Sequence, residues 1–273
     1  FEVVSEYYGG KVTNVDFMHK TEEARLTING WVEDKTNDKI KNLIGKNNLD
    51  PDTRLVLTNA IYFKGTWLKQ FAEKGTREED FRIAPDNVIK VPMMRMFGER
   101  PKFNYAETDR LQMLELPYEG NELSMLILLP KDDDLEGAEA SLDAAKLREW
   151  RTLLRKEKVV VIMPKFKIDA RYSMTDDLKE MGMRAPFSMD ADFSGMNGNK
   201  ELFISQVIHQ AFVEVNEEGT EAAAATAVVA ARKAPSPGPG PKFFKADHPF
   251  IFLIQETGTG NILFLGRISD PRG

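Results

Sequence analysis

Glu217-Glu218-Gly219-Thr220-Glu221-Ala222-Ala223-Ala224-Ala225-Thr226-Ala227-Val228-Val229-Ala230-Ala231-Arg232-Lys233 is the stretch on which the reading of this chain turns. As a helix it would be capped by Thr220, with alanines behind. That helix would have no amphipathic stripe to hold it to a core, and its second half turns β-branched. As a strand it reads better. At period two, Thr220, Ala222, Ala224, Thr226 and Val228 share one face, all small or β-branched and none charged. Such a face can slide into a crowded sheet interior. Gly219 gives the backbone a hinge at its base. At the far end, Arg232-Lys233-Ala234 offers a basic peptide bond to trypsin-like proteases.

The chain continues Ala234-Pro235-Ser236-Pro237-Gly238-Pro239-Gly240-Pro241, with four prolines and two glycines. Neither a helix nor a central strand tolerates that composition, so the segment is exposed and extended. Taken alone it would be a flexible domain linker. Next to a strand-like stretch ending in a basic pair, it stiffens a loop that can be both exposed bait and buried strand.

Composition excludes several classes. The 273 residues carry 37 basic and 43 acidic side chains, a net charge of -6, which argues against nucleic acid as a partner. No run approaches the roughly 18 apolar residues of a membrane helix. Without cysteine there is no disulfide framework, thiolate zinc site or cysteine nucleophile, and the compartment, secreted or cytoplasmic, stays open. His19, His209 and His248 stand at no metal spacing, and neither a Gly-x-Ser-x-Gly nor a phosphate-loop pattern occurs, so no enzyme or cofactor is implied.

Periodicity predicts a helix over residues 21–44, from Ile28, Trp31, Val32, Ile40, Leu43 and Ile44, stopped by Gly45. Residues 55–63 read as a strand buried on both faces. Residues 111–117 and 123–129 form a hairpin around Gly120. A surface helix is expected over 139–158, strands over 159–163 and 203–215, and a short helix over 175–183. Residues 1–10 read as the end of an amphipathic helix, so the chain opens in mid-helix. Asp132-Asp133-Asp134 reads as a solvated turn. The basic run Lys146, Arg148, Arg151, Arg155, Lys156 and Lys158 is interleaved with Glu149 and Glu157, and reads as a solvated helix face rather than a polyanion site. Strands and helices without βαβ alternation make the fold α+β around large, mostly antiparallel sheets.

At this point the sequence resembles the serpins. The hinge Glu217-Glu218-Gly219-Thr220-Glu221, followed by four alanines and Thr226, looks like that of inhibitory members. Phe244-Lys245-Ala246-Asp247-His248-Pro249-Phe250-Ile251-Phe252 is similar to the family's C-terminal signature, as is Asn59-Ala60-Ile61-Tyr62-Phe63-Lys64-Gly65-Thr66-Trp67 to its central strand. Ile28-Asn29-Gly30-Trp31-Val32 looks like the helix across its main sheet. Against that pattern the chain begins at the helix preceding Asn14, so the N-terminal helical bundle, roughly a quarter of the fold, is expected to be absent.

The resemblance implies a single domain over residues 1–273, with residues 217–243 as hinge and reactive loop, and a suicide inhibitor of serine proteases, not an enzyme. Its spacing from Gly219 makes Lys233 the bait and Lys233-Ala234 the reactive bond, with Arg232 the alternative. The partner is then a trypsin-like protease or a dibasic-selective subtilisin-type enzyme. The protein is expected as a monomer prone to loop–sheet polymerisation. Trp67, Lys165 and Glu217 match the breach where the loop first enters, and Thr220 is expected to be the first side chain buried on entry. Asn59 and His209 match the shutter, whose buried polar side chains bridge the parting strands. The alternatives are a non-inhibitory carrier, storage protein or chaperone on the same scaffold, or a consensus-like designed sequence. The small hinge residues favour inhibition.

Overall fold

The computed structural model describes residue 6 and residues 12–96, 101–220 and 240–273. The helix end expected over residues 1–10 lies outside the described residues except for Glu6, which is helical. In chain order the elements are α1 (Thr21–Lys35), β1 (Leu55–Phe63), β2 (Gly65–Thr66), β3 (Arg77–Ala84), β4 (Asn87–Arg95), β5 (Lys102–Glu107), β6 (Leu111–Pro117) and β7 (Leu123–Pro130). There follow α2 (Leu135–Ser141), α3 (Ala144–Leu153), β8 (Arg155–Pro164), β9 (Phe166–Ser173), α4 (Thr175–Glu180) and α5 (Ser194–Asn197). The chain closes with β10 (Ile204–Val215), β11 (Gly219–Thr220), β12 (Lys242–Lys245), β13 (Phe250–Glu256) and β14 (Ile262–Ile268). These residues group into two compact units, Phe1–Tyr62 with Asp169–Phe212, and Phe63–Ile168 with Val213–Gly273.

In the first unit β1 and β9 both pair with β10. Its core joins Val32 of α1, the non-helical Ile40, Leu43 and Ile44, and Ile208 and Phe212 of β10. Helix α1 stops nine residues before the predicted end (44 − 35). Thr36 is the cause: its hydroxyl donates to the Val32 carbonyl at 2.8 Å and accepts from the Ile40 N–H at 3.2 Å. Asn37 and Asp38 then take left-handed φ of 49° and 60°. Short polar side chains here satisfy the backbone better than another helical turn would. The apolar residues beyond are still buried, and Asn29 anchors them through a reciprocal pair of bonds with the Ile44 backbone at 2.8 and 2.9 Å. Strand β1 is not buried on both faces. Val56, Ala60 and Tyr62 pack on this core, whereas Leu57 is 44% exposed and Asn59 is exposed.

In the second unit nine strands form one sheet, in the order β14-β13-β7-β6-β5-β8-β4-β3, with β12 parallel to β8. The β6–β7 hairpin turns where predicted, on left-handed Gly120 (φ 86°) and Asn121 (φ 58°). Leu147 and Trp150 of α3 cover Ala106, Met113, Leu126 and Leu128. The helix expected over 139–158 is instead two helices and the start of a strand. The Asp143 side chain accepts from the Lys146 N–H at 2.6 Å and so begins a new helix. After Leu154 the backbone is extended, drawn into β8 by the β-branched run Val159, Val160, Val161 and Ile162. The acidic turn also does more than face solvent. Asp133 pairs with Arg82 at 2.6 Å, and Asp134 caps α2 through the Gly137 N–H.

Candidate functional site

The end of β10 runs into a turn carried by Asn216. Its Oδ1 accepts from the N–H groups of Glu218 and Gly219 at 3.1 and 3.2 Å, and its own N–H donates to the Gly219 carbonyl at 2.8 Å. Strand β11 then lies antiparallel to β10, Thr220 opposite Val215. Its other edge pairs with β2, Gly219 opposite Thr66 and Thr220 opposite Gly65. The carbonyls of Glu217 and Glu218 accept from the Phe71 and Trp67 N–H groups, both at 2.8 Å.

Gly219 is needed here for room as well as for freedom. Its φ is +157°, and an added Cβ would stand 2.0 Å from the Gly65 carbonyl oxygen and 2.7 Å from the Thr66 Cα. Any side chain would push the two backbones apart. Thr220 is completely buried, and its hydroxyl lies 3.0 Å from that of Tyr118. The sequence placed its burial at loop entry; in this structure it is buried already.

Around this short strand lies an aromatic and ionic cluster. Tyr118 stacks on Trp67 with centroids 4.5 Å apart, and the Trp67 indole N–H donates to the Asn216 carbonyl at 3.0 Å. Glu217 is 7% exposed, held by Lys165 at 2.9 Å and by the Thr76 hydroxyl at 2.6 Å. Burial alone would raise its pKa, but the Thr76 and Lys165 contacts outweigh that and lower it. Burial pushes the Tyr118 phenol well above its ordinary value, and the bond to Thr220 only partly offsets it. Trp67, Lys165, Glu217, Glu218, Gly219 and Thr220 are therefore brought together. Glu221, Ala222, Ala223, Ala224, Ala225, Thr226, Arg232, Lys233 and Ala234 lie outside the described residues.

Asn59 and His209 also meet, with Oδ1 and Nδ1 2.8 Å apart. Contrary to expectation they are not a buried pair: Asn59 is exposed and His209 half-buried. Alternation explains it, because even-numbered residues of both strands face the core of this unit and these two face away. The His209 ring lies over Tyr172 at 6.3 Å, and burial lowers its pKa.

Sequence reasoning missed Asn216, Tyr118 and Thr76. Asn216 carried a usable signal, an Asn three residues before a Gly, which marks an Asx turn. Tyr118 and Thr76 carried none, since their partners are 102 and 141 residues away. Among the described residues no group of three or more His, Asp or Glu could hold a metal ion. What the arrangement offers is the first rung of a strand, paired on both edges and sealed from water.

The family profile described as "Serpin (serine protease inhibitor)" matches residues 1–271. An uncharacterized serpin-like protein of Thermococcus kodakarensis is 47% identical over 270 residues, 99% of this chain and 62% of its own length. The leukocyte elastase inhibitor of Bos taurus is 45% identical over 273 residues, 97% of this chain and 71% of its own. Thyroxine-binding globulin in complex with thyroxine superposes with a TM-score of 0.86 at 32% identity, covering 99% of this chain and 70% of that one. The chain thus spans less than two thirds of the archaeal relative it matches.

Proposed function

The chain belongs to the serpin family, and from that premise we propose that it is a suicide inhibitor of trypsin-like serine proteases. The observation that carries this reading is the seating of Gly219 and Thr220 between β10 and β2, at the head of a segment that continues through Glu221 into four alanines. A strand already begun can be extended.

In this reading Lys233 enters the protease's acidic specificity pocket, with Arg232 as second bait. The protease's serine oxygen attacks the Lys233 carbonyl carbon, the bond to Ala234 breaks, and an ester joins the two proteins. Water would hydrolyse that ester. Before it does, the freed segment lengthens β11 as a new central strand. Each ladder hydrogen bond is worth about 0.5–1.5 kcal/mol net, so a dozen supply on the order of 10 kcal/mol, comparable to a domain's stability. The uncut protein is then a kinetic trap.

Trp67, Lys165 and Glu217 hold the entry point closed until that moment. Because β1 pairs directly with β10, a lengthening β11 has to part them, and Asn59 and His209 bridge that seam. Residues 217–243 act as hinge and reactive loop. The same edges could accept another molecule's loop, which makes polymerisation the associated failure.

The relative's name points to elastase, but a cationic bait suits an acidic pocket, as in trypsin-like or dibasic-selective subtilisin-type enzymes. A second reading, a carrier of an apolar small molecule, is favoured by the likeness to thyroxine-binding globulin bound to thyroxine. Ala222, Ala223, Ala224 and Ala225 weigh against it, since a non-inhibitory hinge needs no small residues. Incubation with trypsin decides between them. The inhibitor yields an SDS-stable complex, which Arg232→Ala with Lys233→Ala abolishes; a carrier is merely cleaved.

A further inference from the structure

Three lysines stand together on one face of the nine-stranded sheet. Strands β5 and β8 are antiparallel, with Lys102 opposite Lys158 and Asn104 opposite Lys156. Residues directly opposite share a face, as do residues two apart on a strand. Lys102, Lys156 and Lys158 therefore share one. All three are exposed, and none of their side chains has a hydrogen-bond or ion-pair partner among the described residues. Glu157, which interleaves with them in the sequence, pairs with Phe103 and stands on the other face. Like charges directly opposite one another destabilise a sheet. A local rule broken without compensation inside the fold marks a position kept for another purpose.

The same face carries an apolar anchor. Strand β12 runs parallel to β8 with Phe243 opposite Val160, two residues beyond Lys158, and Phe243 is 63% exposed. Aromatic rings are enriched at interface centres, and cations beside one suit the polar rim that surrounds it. It also lies close to the bait along the chain. From Lys233 to Lys242 is nine residues (242 − 233), so the chain can separate them by at most about 32 Å. A protease held at Lys233 therefore brings its own surface within reach of this face.

We propose that Lys102, Lys156, Lys158 and Phe243 form an exosite that docks an acidic surface of the protease trapped at Lys233. This rests on the inhibitory reading above and adds what that reading lacks, a second contact that selects among proteases with the same specificity pocket. A polyanion is the weaker occupant. Three lysines in a chain of net charge -6 release few counterions, and an exposed ring contributes nothing to phosphate or sulfate binding.

The test measures binding of anionic trypsin with its catalytic serine replaced, so that affinity is read without chemistry. Lys158→Glu puts opposite charges across β5 and β8, and is expected to raise the melting temperature while weakening binding several-fold. A merely structural lysine would not separate stability from affinity in that way. Lys102→Glu, Lys156→Glu and Lys158→Glu together are expected to cost about tenfold at low salt, and to cost little at about 0.5 M salt, where the charges are screened. Cationic trypsin should show no such loss. Equal affinities of parent and variants for anionic trypsin overturn the proposal, as does a loss confined to heparin with trypsin binding intact. If the charge-dependent affinity appears while active trypsin forms no SDS-stable complex, the docking face stands and the inhibitory reading fails.

Discussion

The hydroxyl of Tyr118 lies 3.0 Å from that of Thr220, and both side chains are shut off from water. The pair ties β11 to the hairpin between β6 and β7. Because Tyr118 also stacks on Trp67, one side chain links the seated strand to the aromatic cluster beside it.

Tyr118→Phe keeps the ring stack and deletes that bond. The Thr220 hydroxyl is then buried without a partner, at a cost of about 1–3 kcal/mol. We expect a lower melting temperature and faster amide exchange at Gly219 and Thr220 than in the parent. Unchanged exchange would show that the backbone ladder alone holds β11.

Glu217 contributes to the acid side of the stability profile. Its folded pKa is lowered, so its contribution is present above the unfolded value of about 4.3 and is lost as pH falls through the folded one. Glu217→Gln should flatten the decline in urea stability below about pH 4.5. A profile as steep as the parent's would assign that decline to other carboxylates.

His248 acts in the opposite direction. Burial by itself would lower its pKa. The bonds to Asp247 at 3.0 Å and to the Pro130 carbonyl at 2.6 Å, with Asp133 nearby, raise it on balance. Asp133 and Asp247 are themselves paired with Arg82 and Lys245. A raised value means that the stability is complete below about pH 6.5 and fades as pH rises through the folded pKa. Replacing His248 with Gln should remove that fade, seen as a flatter denaturant midpoint between about pH 6.5 and 8. His209, with its lowered pKa, contributes with the other sign: its share is lost as pH falls through about 6.5.

Thr220→Arg separates bait from spring. It forces a charge into a completely buried position without a partner, at a cost of several kcal/mol. Docking and acylation need only the distal loop and should survive. In the proposed mechanism β11 is the rung that insertion extends, so a chain that cannot keep residue 220 seated should lose the race with hydrolysis, be cut near Lys233 and release the protease. Counting covalent complex against cleaved product after trypsin treatment checks this, with Thr220→Ser as the conservative control. A complex yield equal to the parent's would refute the insertion mechanism.

Elements with a strong local pattern were legible in advance. Strand β1, the β6–β7 hairpin and β10 begin and end within a residue of their expected bounds, because alternation and left-handed turn residues act locally. Helix ends were not. Thr36 and Asp143 stop or restart a helix by bonding the backbone themselves, a competition that apolar periodicity does not register.

By itself the sequence determined the small, uncharged face running from Thr220 to Val228, the glycine at its base and the basic pair at its end. These are properties of consecutive residues, and covalent spacing sets them. The tertiary structure alone decided that Gly219 lies against the Gly65 carbonyl, that Tyr118 holds Thr220, and that Asn59 faces solvent. It alone decided that Lys102 stands opposite Lys158. Each of these depends on which strand lies beside which, and in what register. A shift of one residue turns every side chain of a strand to the other face, so register is decided by the packing of both faces at once and by no single segment.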